Sequence, residues 1–478
     1  MKNELTFKTA IVFCTAMGLA LFSGCQERAS SPPGDLTEAV GDPAVVQPDF
    51  GIPDNAPIPS EVENPVPSIK QFTAEGNNFN SMYPKLARGI GGTTYLVWQQ
   101  CRLGDACEKN SIMVSRHDGS SWGESVEVSP LSEGSAHATS PDVAVDSSGT
   151  AHIIWKDSGT IGARPTDSDI LYRSWNGEGA AGLGSLQTVS VGGVLDCVEF
   201  SDCATVIDSK IALVGDQPAV AFSATGTARS FEVFYATITN GSWSATQLSD
   251  GSHDVPPYSG VGARSPDIGT DFLGHGYVVW VNQVTTASSR IEYRTVGDSL
   301  GAIRTVDDEC ESNRVASPKV AVDEFGGGHL VWSRFQRCGD PSDGLSVYYA
   351  KISGSGVDGS VTNLTGSASL AGVRNSSPEI VLGTADGDTM VSVAWASTAP
   401  IVGSGSDYDI LVTSFKEAVE DPVIRVVSEP GVGLNTSVGS SFYPTLVRGG
   451  AGVGVCWQEK DSGDISDFDI TCTRGTGW

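Results

Sequence analysis

The fold is read from Ser140-Pro141-Asp142-Val143-Ala144-Val145-Asp146-Ser147-Ser148-Gly149-Thr150-Ala151-His152-Ile153-Ile154-Trp155. An apolar run follows the proline, an Asp-x-x-Gly turn interrupts it, and a β-branched run closes on tryptophan. Two alternating segments around a turn of Asp, Ser and Gly describe antiparallel strands. The pattern returns from Pro266 to Trp280 and from Pro318 to Trp332, with the same 14-residue spacing. Pro84 to Trp98 also spans 14, whereas Pro378 to Trp395 and Pro444 to Trp457 span 17 and 13. Ser209 to Phe222 is a degenerate copy without the proline or the tryptophan. These are seven units, spaced 60 residues apart on average from Pro84 to Pro444.

A third strand follows each pair, as in Asp169-Ile170-Leu171-Tyr172, Ile291-Glu292-Tyr293 and Ser346-Val347-Tyr348-Tyr349. A tight turn such as Trp175-Asn176-Gly177 or Asn240-Gly241 leads to a fourth. Sixty residues with four strands are too few for a self-sufficient sandwich, so the units must bury their faces against one another. The expected fold is all-β, a seven-bladed β-propeller of four-stranded antiparallel blades over residues 67–478. The last unit ends after Asp469-Ile470-Thr471-Cys472, and Pro67-Ser68-Ile69-Lys70-Gln71-Phe72 stands at the spacing of its missing strand. Pairing of that N-terminal segment with the last blade is expected to close the ring and remove its edge.

Upstream of the repeats, residues 25–66 are rich in Pro, Ser, Gly and acidic residues, a composition that reads as a disordered, partly stiff tether. Residues 1–24 carry Lys2 and Lys8 ahead of an apolar run from Thr9 to Phe22, the pattern of a signal peptide. That run ends in Leu21-Phe22-Ser23-Gly24-Cys25, which resembles the bacterial lipoprotein signal. The resemblance implies acylation of Cys25, a lipid-bilayer anchor with no spanning helix, and, through Gln26, retention at the outer membrane, on its periplasmic or cell-surface side. Against 57 acidic residues stand 29 basic ones, and a net charge of −28 excludes nucleic acid as a partner. Leaving aside Cys14 in the signal segment, eight cysteines besides Cys25 form an even set in an exported chain. They are expected to pair as Cys101 with Cys107, Cys197 with Cys203, Cys310 with Cys338, and Cys456 with Cys472.

Following the strands up and down places the long connections, after each tryptophan and between units, on one face. Two residues beyond each tryptophan, at the end of the second strand, stand Gln100, Asp157, Asn282, Arg334, Ser397 and Glu459. Gln100, Asp157, Asn282, Arg334 and Glu459 are therefore candidates for a binding face. Asp157 and Glu459 are also the candidate acid and base for hydrolysis of a neutral glycan. Asp461, Asp464, Asp467 and Asp469 supply hard oxygen ligands of the kind calcium takes, and calcium is the one candidate cofactor. His152 and His329 share a repeat position, three residues before tryptophan, which reads as packing.

Exported propellers of this kind resemble the sialidase and BNR-repeat superfamily, and Ser115-Arg116-His117-Asp118-Gly119-Ser120-Ser121-Trp122 approximates its turn motif with one extra residue. The resemblance implies three arginines, a tyrosine with a glutamate, and an aspartate. Arg102, Arg264, Arg334 and Arg374 lie near long loops, but Tyr83-Pro84-Lys85-Leu86 stands where the first arginine's motif belongs, and the set is not assignable. The sequence thus favours a monomeric, non-catalytic glycan- or protein-binding module of the cell envelope, with a glycoside hydrolase or sialidase-like enzyme as the alternative.

Overall fold

The structure, a computed structural model, describes residues 79–473 except 90, 103–109, 130–136, 159–167, 191–205, 226–230, 251–261, 285–287, 298, 307–313, 336–343, 367–372, 386, 399–407, 417–423, 429–440, 449–451 and 461–467. The expected signal segment (1–24), Cys25, the expected tether (25–66) and the expected closing strand at 67–72 lie outside the described residues. So do Cys107, Cys197, Cys203, Cys310, Cys338, Asp461, Asp464 and Asp467.

The described residues are almost wholly strand, with one 3-10 turn at Ala180–Gly182. The first unit is β1 (Phe79–Arg88), β2 (Thr94–Arg102), β3 (Asn110–His117) and β4 (Val126–Glu127). The second is β5 (Ala138–Val145), β6 (Ala151–Ser158), β7 (Ser168–Trp175) and β8 (Gln187–Thr188). The third, built from the degenerate repeat, is β9 (Val206–Val214), β10 (Gln217–Thr225), β11 (Phe231–Thr239) and β12 (Ser242–Gln247). The fourth is β13 (Gly262–Thr270), β14 (Gly276–Gln283), β15 (Ser289–Val296) and β16 (Arg304–Thr305). The fifth is β17 (Arg314–Val322), β18 (Gly328–Phe335), β19 (Leu345–Ser353) and β20 (Gly356–Asn363). The sixth is β21 (Asn375–Ala385), β22 (Asp388–Ser397), β23 (Asp409–Lys416) and β24 (Ile424–Val426), and the last is β25 (Ser441–Arg448), β26 (Val453–Lys460) and β27 (Phe468–Thr473). Within each unit the strands pair antiparallel in chain order, and a single parallel pair, Phe231 with Gly262, joins the third unit to the fourth.

Successive residues of a strand point to opposite faces of its sheet, so each unit serves two neighbours. Tyr95 and Val97 pack with Val143, Ile153 and Trp155 of the second unit, while Leu96 and Trp98 pack with Cys456, Ile470 and Cys472 of the last. Among the described residues seven such apolar clusters lie between neighbouring units, and one of them joins the last unit to the first. First strands follow in the same cyclic series, each touching the next, and β25 touches β1. The tryptophans of the repeat are the centres of these clusters: Trp98, Trp155, Trp280, Trp332 and Trp395 are fully buried, and Phe222 takes their place in the third unit.

The recurring proline has a conformational cause. Tyr83, Ser140, Ser265, Ser317, Ser377 and Tyr443, each the residue before it, have φ between 49° and 54°. The pairing of first and second strands shifts at the same place in those six units, between Met82 and Lys85 in the first and between Thr139 and Asp142 in the second. A left-handed residue followed by a fixed proline makes a bulge, which bends the first strand of the unit. The third unit lacks the proline and has its register shift elsewhere, between Ser223 and Ala224.

Each Asp of the Asp-x-x-Gly turns caps the turn it opens. Asp146 accepts from the backbone N–H of Ser148 at 3.0 Å and of Thr150 at 2.8 Å, and Asp323 from Phe325 and Gly327 at 2.8 Å. His152 then links Asp146 Oδ2 at 3.1 Å to the Tyr172 hydroxyl at 2.7 Å, and His329 links Asp323 to Tyr349 in the same way. Both histidines are structural, as their shared repeat position implies. The expected bridge between Cys456 and Cys472 is present, joining directly opposed residues of β26 and β27 in the unit with three described strands. Cys101 is disulfide-bonded as well.

Two outcomes test this packing. A Cβ on Gly269 would lie 2.6 Å from the carbonyl oxygen of Val320 in the next unit, so Gly269→Ala is expected to cost about 1–3 kcal/mol in denaturant unfolding. The Cys456–Cys472 bridge closes a separation of 16 residues, and replacing both cysteines with serine is expected to cost about 3 kcal/mol. Unchanged midpoints would contradict both assignments.

Candidate functional site

A buried indole N–H needs an acceptor, and two of the residues that follow the tryptophans meet this need directly while two more share the acceptor that does. Trp98 Nε1 donates to Gln100 Oε1 at 3.2 Å, and Trp457 Nε1 donates to Glu459, which also accepts from Ser441 Oγ at 2.8 Å. Trp280 Nε1 donates to Glu292 at 3.2 Å, and Asn282 Nδ2 donates to the same carboxylate at 2.8 Å. Ser397 and Trp395 share Asn375 Oδ1. Asn282 and Asp157 are each only 2% exposed, and the Arg334 guanidinium lies 5.3 Å from the centre of the Tyr348 ring. Gln100, Asn282 and Glu459 are therefore engaged with the tryptophan shell.

Asp157 and Glu459 stand on the second strands of the second and last units, with the first unit between them. Burial pushes the Glu459 carboxyl above the usual range, against the hydrogen bonds from Trp457 and Ser441. Asp469, the one described residue of the acidic run, pairs in register with Glu459 on β27. No group of three potential metal ligands occurs among the described residues.

What sequence reasoning missed lies at the bulges of the innermost strands. In the first and last units the left-handed residue is tyrosine where four other units have serine, and these two units are neighbours. The rings of Tyr83 and Tyr443 are 5.0 Å apart, Tyr443 is 6.3 Å from Phe442, and Phe442 is 4.9 Å from Tyr408. Four rings from the sixth, last and first units thus form one strip, and Tyr443 is 42% exposed. The strip is held from behind: Tyr83 N donates to Gln458 Oε1 at 3.3 Å, and Ser441 N to the carbonyl of Tyr408 at 2.9 Å. It lies between the charged positions described next and the start of β25, the end at which the long connections enter. In the fourth unit the corresponding residues are polar: Ser265 Oγ donates to Asp208 at 3.4 Å, and Arg264 lies 5.8 Å from the centre of the Phe231 ring.

One residue past the proline is a charge in five units and Thr445 in the last, and Lys210 stands at the matching place in the third unit, which lacks the proline. Lys85 pairs with Glu379 at 3.0 Å, Lys210 with Asp142 at 4.0 Å and Lys319 with Asp267 at 3.4 Å, all six side chains keeping 10–21% exposure. Burial lowers the Lys210 pKa to about 8, only partly offset by Asp142. Burial opposes charge on Lys319 too, but Asp267, Glu379 and Asp142 together outweigh it and raise its pKa. Glu379 is held below the usual carboxylate range because Lys85, Lys319 and Lys210 overcome its burial.

No family model matches the chain. No curated protein matches it in sequence either. Solved structures do. A protein of unknown function from Dyadobacter fermentans aligns at 13% identity and a TM-score of 0.46, covering 84% of this chain and 95% of its own. An α-L-arabinanase from Penicillium chrysogenum, complexed with arabinobiose, aligns at 14% identity and a TM-score of 0.44, over 70% of this chain and 93% of its own. The intramolecular trans-sialidase from Ruminococcus gnavus aligns at 12% identity and a TM-score of 0.42, over 82% and 94%.

The lowered Lys210 gives a pH test. Between about pH 8 and its ordinary 10.5 the unfolded chain holds a proton that the folded protein has released, so stability gains from this residue as pH rises through that window. The gain is of order 2–4 kcal/mol and is expected to vanish in Lys210→Met; equal slopes for the two proteins would contradict it.

Proposed function

We propose that residues 67–478 form a closed seven-bladed β-propeller, carried on the 25–66 tether from an acylated Cys25 at the outer membrane, and that it binds a neutral glycan without cleaving it. The observation that carries this reading is the strip Tyr408, Phe442, Tyr443 and Tyr83, a row of rings braced by backbone hydrogen bonds with Tyr443 exposed. Aromatic faces suit the C–H faces of sugar rings, and side chains already fixed lose little entropy on binding. A net charge of −28 disfavours an acidic glycan. The cyclic contacts of the first strands and the apolar cluster between last and first units support the closed ring. Calcium at Asp461, Asp464, Asp467 and Asp469 belongs to the same proposal as a support for the last unit. The protein is taken to act as a monomer.

A hydrolase remains the second reading because of Glu459, whose raised pKa suits a proton donor. Binding is preferred because Asp157, its expected partner, stands two units away rather than across one bond. The test uses the chain from Pro57 onward against neutral and sialylated oligosaccharides, with mass spectrometry of the material recovered. Retention of intact neutral glycan, weakened at least tenfold by Tyr443→Ala, is the expected result. Released fragments would establish the enzyme, and retention unaffected by Tyr443→Ala would place recognition elsewhere.

A further inference from the structure

In the cyclic order of the units, the residue one past the recurring proline, with Lys210 at the matching place of the proline-less third unit (opposite Ala221, as Asp142 is opposite Ile154), reads Lys85, Asp142, Lys210, Asp267, Lys319, Glu379, Thr445. The signs alternate from the first unit to the sixth. A ring with an odd number of members cannot alternate all the way round, because two like charges must meet somewhere. Thr445, neutral and 2% exposed, stands at that place, between Glu379 and Lys85. We propose that this set acts as one electrostatic closure code, in which alternation orders the units and the neutral Thr445 marks the seam between last and first.

Three observations carry the proposal beyond a set of separate ion pairs. Lys85 and Glu379 pair at 3.0 Å although they belong to the first and sixth units, so their bridge spans the seam over Thr445. Two of the lysines also feel more than their nearest partner: Lys319 responds to Asp267, Glu379 and Asp142, and Lys210 to Asp142, Lys85, Lys319 and Glu379. Finally, Thr445 reproduces the second task of the acids. Asp142 accepts the N–H of Ile211 in the next unit at 2.9 Å, and Asp267 that of Val320 at 2.8 Å. Thr445 Oγ1 accepts the N–H of Leu86 in the first unit at 3.0 Å. A hydroxyl keeps this inter-unit bond without adding a charge that one of its two neighbours would repel, which explains threonine at this place.

The inference rests on the closed ring and not on glycan binding. Two sets of variants of the full chain test it by thermal melting. In Lys85→Glu with Glu379→Lys the direct bridge is restored with reversed sign, but Glu at 85 now adjoins Asp142 and Lys at 379 adjoins Lys319. A ring-wide code leaves this double variant at least about 3 °C below the wild type, whereas independent bridges return it to the wild-type midpoint. At the seam, Thr445→Asn keeps an acceptor without charge. Thr445→Asp and Thr445→Lys are both expected to melt below it, by about 3 °C or more. A double variant that melts with the wild type, or a Thr445→Asp protein as stable as Thr445→Asn, would overturn the code. Closure itself is read separately, from small-angle scattering of the wild type: a profile that is not that of a closed disc would remove the ring on which the inference stands.

Discussion

A left-handed residue locked in front of a proline, in the innermost strand of six units, is the constraint from which the remaining features follow. Backbone at φ near +50° costs a non-glycine residue about 1–2 kcal/mol, and the fold accepts that cost repeatedly. The return is a bulge that bends the strand at the same height in each unit. Because the bulge consumes residues without pairing them, the next side chain is turned toward the neighbouring innermost strand, where Asp142, Asp267 and Thr445 each take an N–H from the adjoining unit.

This geometry separates two tasks along one strand. Residues on the second and third strands fill the apolar layers between units, which supply the bulk of the folding energy. Residues at the bulge contribute less burial and lie where successive first strands touch. Before the proline they are serine or tyrosine, and after it lysine, aspartate, glutamate or threonine. Replacing serine by tyrosine changes nothing in the backbone, since both occupy the same left-handed conformation, yet it converts a polar position into an aromatic one. Two adjoining units thus carry aromatic rings at this position, Tyr443 and Tyr83, without any departure from the repeat that builds them.

The repeat, the strand alternation and the Cys456–Cys472 bridge were legible because they depend on spacing along the chain. The residues two beyond the tryptophans were harder to read. Their position at the end of the second strand suggested display, but Gln100 and Glu459 serve the indole N–H, and Asn282 shares the carboxylate that does, a demand visible only once each tryptophan is seen to be buried. Tyr83 and Tyr443 were legible as markers of the repeat and illegible as a pair, because 360 residues separate them and they meet only where the last unit adjoins the first. The alternation of charge from Lys85 to Glu379 was present in the sequence. It becomes a signal only when the residues are known to stand side by side, since nothing in the linear order shows that position 85 faces position 379.

The most direct measurement is a crystal structure of the protein with a bound neutral oligosaccharide. A sugar ring packed on Tyr443, with its neighbour reaching toward Tyr83 or Phe442, is the expected result. A ligand seated on the short-turn face or on the outer strands, with Tyr443 bare, would contradict recognition at the innermost bulges.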